Sequence, residues 1–84
     1  MSSEQEFKDA QARVKTLTSR PGNDQLLKLY SLFKQASEGD ARGKRPGVFD
    51  MKGRAKFDAW SANRGLAKDA AMSQYVALVD SLVG

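Results

Sequence analysis

Apolar side chains recur every three or four residues in four stretches of the chain, which is the spacing of one face of an α-helix. The pattern predicts helices near residues 4–17, 23–38, 51–64 and 67–83. No stretch alternates apolar and polar residues as a half-buried strand does. Amphipathic helices bury their apolar faces only by packing together, so the sequence predicts an all-α four-helix bundle that forms one domain over residues 1–84.

Residues with capping chemistry mark the predicted helix ends. Ser3 and Glu6 have the spacing of a capping box, in which each side chain bonds a free backbone N–H group at the start of the first helix. Asn23 and Asp50 are predicted to cap the N-termini of the second and third helices. Gly39 is predicted to end the second helix in a left-handed conformation, which glycine adopts easily because it lacks a Cβ atom.

The connection between the second and third helices is both long and basic. It spans about a dozen residues, near the upper limit for a loop in a compact domain, and is long enough to cross over the bundle. Residues 42–56 hold six basic side chains and the single acid Asp50, whereas the whole chain carries a net charge of +4. The positive field is therefore local, and it favours an anionic partner.

Several functional classes are disfavoured by what the sequence lacks. The chain contains no cysteine and no histidine, which removes disulfides, thiol nucleophiles, the usual zinc sites and the commonest general base. It also lacks the glycine-rich motifs of nucleotide-binding loops. Its N-terminal stretch is polar, and no apolar run is as long as a membrane span. These features predict a cytoplasmic protein with no metal site and no integral membrane segment, and they leave few residues suited to enzymatic chemistry.

The apolar arc of the predicted second helix is wider than one packed face requires. It extends past Lys34 to Leu27, and we interpret the excess width as part of a groove. Lys28, Gln35 and Glu38 are predicted to lie on the opposite, polar side of the helix. The arc is formed by Leu26, Leu29, Tyr30, Leu32, Phe33 and Ala36.

Lysines stand next to aromatic residues on two of the predicted helices. Lys34 follows Tyr30 by one helical turn, while Lys52 and Lys56 lie one turn apart beside Trp60. Taken singly, the aromatic rings are explained by core burial and the lysines by solvation. Taken together, they suit an anionic ligand with a flat ring, because ammonium groups bind phosphate and aromatic rings stack on bases.

Three further residues have an ordinary explanation as well as a functional one. Lys15 lies on the shoulder of the first helix, where solvated lysines are common. Tyr75 falls on the apolar face of the fourth helix and is expected to be a core residue with its hydroxyl group at the rim. For Arg45, an ion pair that stabilises the loop is as consistent with the sequence as a contact with phosphate.

Three motifs together carry a resemblance to a known family. They read YSLFKQAxxGD from residue 30, RPGxxDxKGRAKFDAW from residue 45 and AMxxYVxLV from residue 71. In this order and spacing they resemble the acyl-CoA-binding protein family, over nearly the whole chain. The resemblance implies a four-helix bundle with a long overhand connection between helices two and three. It also implies a monomeric intracellular carrier of long-chain acyl-CoA esters, which serves enzymes that make or use these esters and catalyses nothing.

The resemblance also assigns roles to individual residues. Tyr30 and Phe33 match positions that contact the adenine and ribose of the ligand, and Lys34 and Lys56 match positions that meet its 3′-phosphate. Lys15, Lys52 and Tyr75 match further ligand-binding positions of the family. Leu27 and Ser31 belong to the second helix and complete the prediction. The predicted ligand-binding residues are Lys15, Leu27, Tyr30, Ser31, Phe33, Lys34, Lys52, Lys56 and Tyr75.

The sequence departs from the family pattern at a few positions. Residue Phe33 stands where tyrosine is common, which keeps a ring but loses a hydroxyl contact. Phe57 replaces a tryptophan and leaves Trp60 as the only indole. Leu66 and Ala67 stand where serine or threonine often caps the fourth helix, and loss of such a cap costs about 0.5 to 2 kcal/mol.

Two alternatives from other classes are consistent with the residues alone. A small basic helical protein can bind nucleic acid through the 42–56 segment, with an affinity that falls steeply as salt rises. A wide apolar arc can also receive a helix from a partner protein. The carrier interpretation differs from both because it requires an acyl chain on the ligand.

Overall fold

Four α-helices make up the protein in a computed structural model that describes residues 4–83. No strand occurs within that range, so the predicted all-α class is confirmed. The helices are α1 (Glu4–Val14), α2 (Asn23–Glu38), α3 (Met51–Ser61) and α4 (Lys68–Val83).

The core lies where α4 packs against both α1 and α2, while α3 packs against α2 alone. Phe7 of α1 meets Tyr75 of α4 edge to face, with 5.1 Å between the ring centroids, a favoured aromatic geometry. The outer position of α3 leaves part of the apolar arc of α2 outside the core. The buried cluster consists of Phe7, Ala10, Leu29, Leu32, Ala36, Ala71, Tyr75 and Val79.

Two helices end earlier than the sequence pattern predicts. The first ends at Val14, and residues 15–17 continue it only as a tight turn in which each N–H group bonds the carbonyl three residues back. The third ends at Ser61, and residues 62–64 again form turns. Such turns keep nearly the helical spacing of side chains. The spacing of apolar residues therefore predicts helices that are longer than those in the structure.

The predicted N-caps have different outcomes. Asp50 caps α3 as predicted, because its side chain accepts a hydrogen bond of 3.0 Å from the backbone N–H group of Gly53. A Cβ atom on Gly53 would overlap the Asp50 carboxylate, so a larger residue there would require the capping carboxylate to shift. The prediction for Asn23 is wrong: Asn23 is the first residue of α2, and Gly22 precedes it without a side-chain cap. The predicted capping box at Ser3 lies outside the described residues.

Glycine is favoured at the end of α2, where the backbone has a positive φ angle. Gly39 has a φ angle of 81°, as predicted, but its ψ angle of −148° lies outside the left-handed helical region. Its N–H group bonds the carbonyl of Gln35, and its carbonyl accepts a 2.8 Å hydrogen bond from the indole Nε1 of Trp60. The end of α2 is thereby tied to the end of α3.

The connection over residues 39–50 is fixed to α3 by an ion pair. The Nε and Nη2 atoms of Arg45 donate to the two carboxylate oxygens of Asp58 at 2.8 and 2.7 Å. This two-point geometry is stronger than a single contact, and it raises the pKa of Arg45 and lowers the pKa of Asp58. The loop-stabilising explanation of Arg45 is therefore the one that the structure supports.

A buried amide joins the end of α2 to the α3–α4 loop. Gln35 was predicted on the polar side of α2, and this is wrong, because it is fully buried. Its Nε2 donates to Oδ1 of Asp40 at 2.9 Å and to the carbonyl of Leu66 at 2.8 Å. The same Asp40 oxygen accepts the N–H group of Gly65 at 2.8 Å. Residues distant in the sequence thus meet at one polar cluster.

Acid is expected to destabilise the protein in part through Asp40. The hydrogen bond from the Gly65 N–H group, and next the one from Gln35, hold the pKa of Asp40 below its ordinary value of 3.8. A carboxyl group with a lowered folded-state pKa stabilises the fold above its unfolded pKa, and this contribution is lost as pH falls through the folded value. Chemical denaturation should therefore show the free energy of unfolding decreasing as pH drops below about 3.8.

The matched variant is Asp40→Asn, which keeps an oxygen acceptor and the side-chain shape but does not titrate. It should lose less stability than the wild-type protein over the same acidic range. An identical acid dependence in both proteins would show that the Asp40 cluster does not contribute to it.

Candidate ligand-binding site

An open groove of about 530 Å³ runs between α2 and α3. Leu26 and Leu27 of α2 and Met51 and Ala55 of α3 supply apolar lining. The interpretation that part of the wide arc of α2 lines a groove is confirmed, because these leucines face α3 rather than the core. The polar and aromatic lining comes from Arg20, Asn23, Tyr30, Lys52 and Lys56.

Two cation–π contacts join α2 and α3, one between residues that line the groove and one outside its lining. The Nζ atom of Lys34 lies 4.7 Å from the ring centroid of Trp60 on α3. The Nζ atom of Lys56 lies 5.3 Å from the ring centroid of Tyr30 on α2. The sequence indicated lysine–aromatic neighbours within each helix, whereas the structure pairs them between helices. The two contacts hold α2 and α3 together and keep both ammonium groups beside aromatic rings.

Lys34 already has an anionic partner. Its ammonium group donates to the carboxylate of Glu38, one turn further along α2, so Glu38 does not lie on the opposite side of the helix as predicted. The hydrogen bond from Lys34 is the main cause that lowers the pKa of Glu38. Arg42 lies 3.9 Å from the other carboxylate oxygen. An incoming anion therefore competes with Glu38 for Lys34.

Replacement of Glu38 by glutamine is expected to tighten the binding of an anionic ligand at Lys34 by about two- to fivefold, the scale of an exposed ion pair. The variant removes a competing negative charge and leaves the lysine in place. Titration calorimetry measures the effect. Asp69→Asn on α4, which forms neither wall of the groove, makes the same change in net charge and should leave affinity unaltered. Weaker binding by the Glu38 variant would instead mean that Glu38 orients Lys34 for the ligand.

Two of the predicted aromatic residues belong largely to the core. Tyr75 is only 5% exposed, and burial raises its pKa. Phe33 is partly buried and stacks on Phe7 with 6.1 Å between ring centroids. The expectation that Tyr75 is a core residue is confirmed.

Several predicted site residues do not line the groove. Ser31 is buried, and its hydroxyl group donates to the backbone carbonyl of Lys28 at 2.9 Å. Lys15 is exposed in the turn that follows α1. The groove itself contains Leu27, Tyr30, Lys52 and Lys56 from the predicted set. The structure therefore brings only part of the predicted set together in the groove. Lys34 lies outside the groove lining, against Trp60 of α3, and Phe33 and Tyr75 pack against Phe7 of α1.

Some residues that line the groove were not predicted from the sequence. Met51 and Ala55 lie one turn apart on α3, directly before Lys52 and Lys56. That spacing was a usable signal, since residues at i and i+4 share a helix face. Arg20 precedes α2, and periodicity gives no information about a loop residue.

The fold and the groove define a class of protein. An all-α bundle with an apolar groove beside aromatic-paired lysines is suited to bind an amphiphilic anion. Among the described residues, no cluster of potential metal ligands is present. Residues 4–79 match the family model described as acyl CoA binding protein. The chain belongs to this family.

Individual relatives agree with the family assignment. Acyl-CoA-binding protein homolog 1 of Caenorhabditis elegans is 57% identical over 77 residues, which cover 92% of this chain and 90% of that protein. The crystal structure of Oryza sativa acyl-CoA-binding protein 2 superposes with a TM-score of 0.91 at 40% identity, covering 95% of this chain and 87% of the other. The predicted family and the predicted bundle of that family's type are both confirmed.

A further relative combines this kind of domain with other sequence. Human enoyl-CoA delta isomerase 2 is 49% identical over 80 residues, which are 95% of this chain but only 20% of the isomerase. The similarity therefore covers one small part of that enzyme. Because the family consists of binding proteins, the prediction that this chain is not an enzyme is confirmed.

Proposed function

We propose that the chain carries long-chain acyl-CoA esters, with the acyl chain in the α2–α3 groove and the phosphates at the neighbouring lysines. Binding of acyl-CoA esters and a carrier role follow from family membership. The observation that best supports the proposed location is the apolar groove of about 530 Å³ with Lys52 and Lys56 along it. This volume lies within the range of about 300 to 1,000 Å³ that is typical of small-molecule sites.

The chemistry of the ligand matches the two parts of this site. A phosphate monoester carries a charge of about −1.5 to −2 near neutral pH, and charge-assisted hydrogen bonds from lysines are among the stronger polar contacts. Lys56 is held beside the half-buried ring of Tyr30, which lines the groove and offers adenine a surface for stacking. The ring beside Lys34 belongs to the buried Trp60. The fatty tail gains roughly 0.8 kcal/mol for each methylene group that it buries.

The cellular role is a further part of the proposal. The chain acts as a single monomeric domain in the cytoplasm, where it maintains a pool of acyl-CoA esters and exchanges them with enzymes that make or use them. It needs no cofactor of its own. The relatives support neither the nucleic-acid-binding alternative nor the helix-docking alternative. No helix within residues 4–83 is both long and apolar enough to span a membrane.

Affinity is expected to depend on both ends of the ligand. Long-chain acyl-CoA should bind more than a hundredfold tighter than free CoA, because burial of only four methylene groups at about 0.8 kcal/mol each already gives that factor. Free fatty acid should bind poorly because it lacks the phosphates. Calorimetric titrations with all three compounds test the proposal, and similar affinities for the three would rule it out.

A further inference from the structure

Met51 is an exposed methionine that also lines the ligand groove. It is the first residue of α3 and is 77% exposed to solvent. Its aliphatic neighbours in the groove lining are Leu26, Leu27 and Ala55, whose hydrocarbon side chains peroxides do not oxidise. The thioether sulfur of methionine, in contrast, is readily oxidised to a polar sulfoxide. Met51 is therefore the position at which an oxidant can change the apolar lining of the groove.

The other methionine within residues 4–83, Met72, has a different environment. It lies on α4, is partly buried and packs against the core cluster. A sulfoxide at Met72 would place a polar group against the core and destabilise the fold. Met51 is not part of that cluster, so a sulfoxide at this position leaves the core intact. The two methionines therefore separate an effect on ligand binding from an effect on stability.

The position of Met51 is fixed by the hydrogen bonds that begin α3. The side chain of Asp50 accepts the Gly53 N–H group at 3.0 Å, and the Asp50 carbonyl accepts the Arg54 N–H group at 2.9 Å. Neither bond involves the side chain of Met51, so its oxidation leaves both in place. An oxidised Met51 therefore stays at the groove, with only its side-chain chemistry changed.

We propose that Met51 is a site of reversible oxidation by hydroperoxides, which lowers the affinity of the groove for an acyl chain. The proposal rests on the proposed carrier function, because it requires the acyl chain to lie in the groove. A lone pair of the Met51 Sδ atom attacks one oxygen of hydrogen peroxide, and an S–O bond forms as the O–O bond breaks. The proton of the attacked oxygen passes to the departing hydroxide, which leaves as water. The sulfur is thereby oxidised to a sulfoxide, and the peroxide is reduced.

The sulfoxide changes the surface that the groove offers to an acyl chain. Its oxygen is a hydrogen-bond acceptor, and an acyl chain that covers it displaces water without replacing the lost hydrogen bond. The favourable contact with the soft, apolar thioether is lost as well. Lys52 and Lys56, which are proposed to hold the phosphates, are chemically unchanged. Oxidation should therefore weaken the binding of long-chain acyl-CoA and leave the binding of free CoA unaltered.

The exposure of Met51 also makes the modification reversible. Methionine sulfoxide reductases return the sulfoxide to the thioether, with one enzyme for each sulfoxide epimer, and they need access to the oxidised sulfur. An acyl chain in the groove covers Met51 from the groove side, so ligand and oxidant compete for this side chain. Long-chain acyl-CoA should therefore slow the oxidation of Met51, whereas free CoA should not.

Limited treatment with hydrogen peroxide, followed by peptide mapping and calorimetry, tests the proposal. Met51 should gain an oxygen atom before Met72 does. Protein oxidised at Met51 should bind long-chain acyl-CoA about fourfold more weakly or worse, the factor that corresponds to one buried methylene group at about 0.8 kcal/mol. Its affinity for free CoA and its thermal unfolding midpoint should not change. Treatment with both classes of reductase should restore the affinity for acyl-CoA.

Two matched variants assign the effect to one sulfur atom. Met51→Leu keeps an apolar side chain of similar size that peroxide does not oxidise, so its affinity for acyl-CoA should be the same before and after treatment. Met72→Leu retains Met51 and should respond to peroxide as the wild type does. Peptide mapping in the presence of long-chain acyl-CoA or free CoA measures the expected protection of Met51.

Other outcomes would overturn the proposal. An equal loss of affinity in Met51→Leu would place the sensitive residue elsewhere. Unchanged affinity of protein oxidised at Met51, or equal losses for acyl-CoA and free CoA, would show that the sulfoxide does not act on the acyl chain. These results leave the proposed carrier function standing. If untreated protein binds acyl-CoA no more tightly than free CoA, the carrier function itself fails, and the proposal for Met51 fails with it.

Discussion

Replacement of Lys34 or Lys56 by alanine is expected to weaken the binding of long-chain acyl-CoA by about 1.5 to 3 kcal/mol, the contribution of a hydrogen bond to a charged group. Lys34 of α2 lies over the Trp60 ring of α3, and Lys56 of α3 lies over the Tyr30 ring of α2, so both ammonium groups stand where these two helices meet. Titration calorimetry measures the loss. Lys28→Ala provides the matched control, because Lys28 is an exposed lysine of α2 outside the predicted site.

Acyl-dephospho-CoA, which lacks only the 3′-phosphate, identifies the group that these lysines recognise. The wild-type protein should lose affinity for this ligand, whereas each lysine variant should bind the two ligands nearly alike. Such non-additivity shows that lysine and phosphate interact directly. Variants that still discriminate as strongly as the wild type would place the phosphate elsewhere, at Lys15 or Lys52.

Stability measurements separate a binding effect from a folding effect. Each lysine variant loses one cation–π contact, which contributes about 0.5 to 2 kcal/mol. Lys34→Ala also loses its ion pair with Glu38, which contributes up to about 1 kcal/mol. A loss of this size leaves a small domain folded. Trp60 is the only tryptophan and is the ring that Lys34 covers, so its fluorescence reports on this contact during unfolding and during ligand binding.

The apolar groove could be predicted because its signal is local to one helix. The arc of α2 contains more apolar residues than one core face uses, and the surplus, including Leu26 and Leu27, forms the groove lining. The caps at Asp50 and Gly39 were likewise visible, since capping depends on a few adjacent residues. Features that depend on one helix and its ends are those that a sequence reveals most directly.

Contacts between segments that are distant in the sequence could not be predicted from the spacing of residues within one helix. Helical spacing placed Lys34 next to Tyr30, but the ring that Lys34 covers is Trp60 on α3. The same spacing placed Gln35 on a solvated side, because it takes no account of the loops that pass over that side of α2. Both differences arise from tertiary packing, which brings together groups that periodicity within one helix treats as unrelated.

Gln35 is the position where this limitation has the largest consequence for stability. Both acceptors of its Nε2 atom, an Asp40 carboxylate oxygen and the Leu66 carbonyl, are unable to donate. The orientation of the amide is therefore fixed by chemistry. Among the described residues its Oε1 has no hydrogen-bond partner, so the side chain serves here as a donor alone.

Substitution Gln35→Glu is accordingly expected to lower the free energy of unfolding at pH 7 by about 3 to 5 kcal/mol, the cost of a buried charge without a compensating partner. The new carboxylate has nearly the size of the amide, but it faces a carboxylate and a carbonyl where two hydrogen bonds were donated. Burial and the Asp40 charge raise the pKa of the introduced group. The difference in unfolding free energy between the variant and the wild type should therefore narrow as pH falls from 7 towards 5, because protonation removes the charge and restores one donor.

Gln74→Glu, at an exposed position of α4, makes the same chemical change and should alter stability by less than about 0.5 kcal/mol. Urea denaturation over this pH range measures both variants, and a Gln35 variant as stable as the Gln74 control would show that the buried amide does not join α2 to the α3–α4 loop.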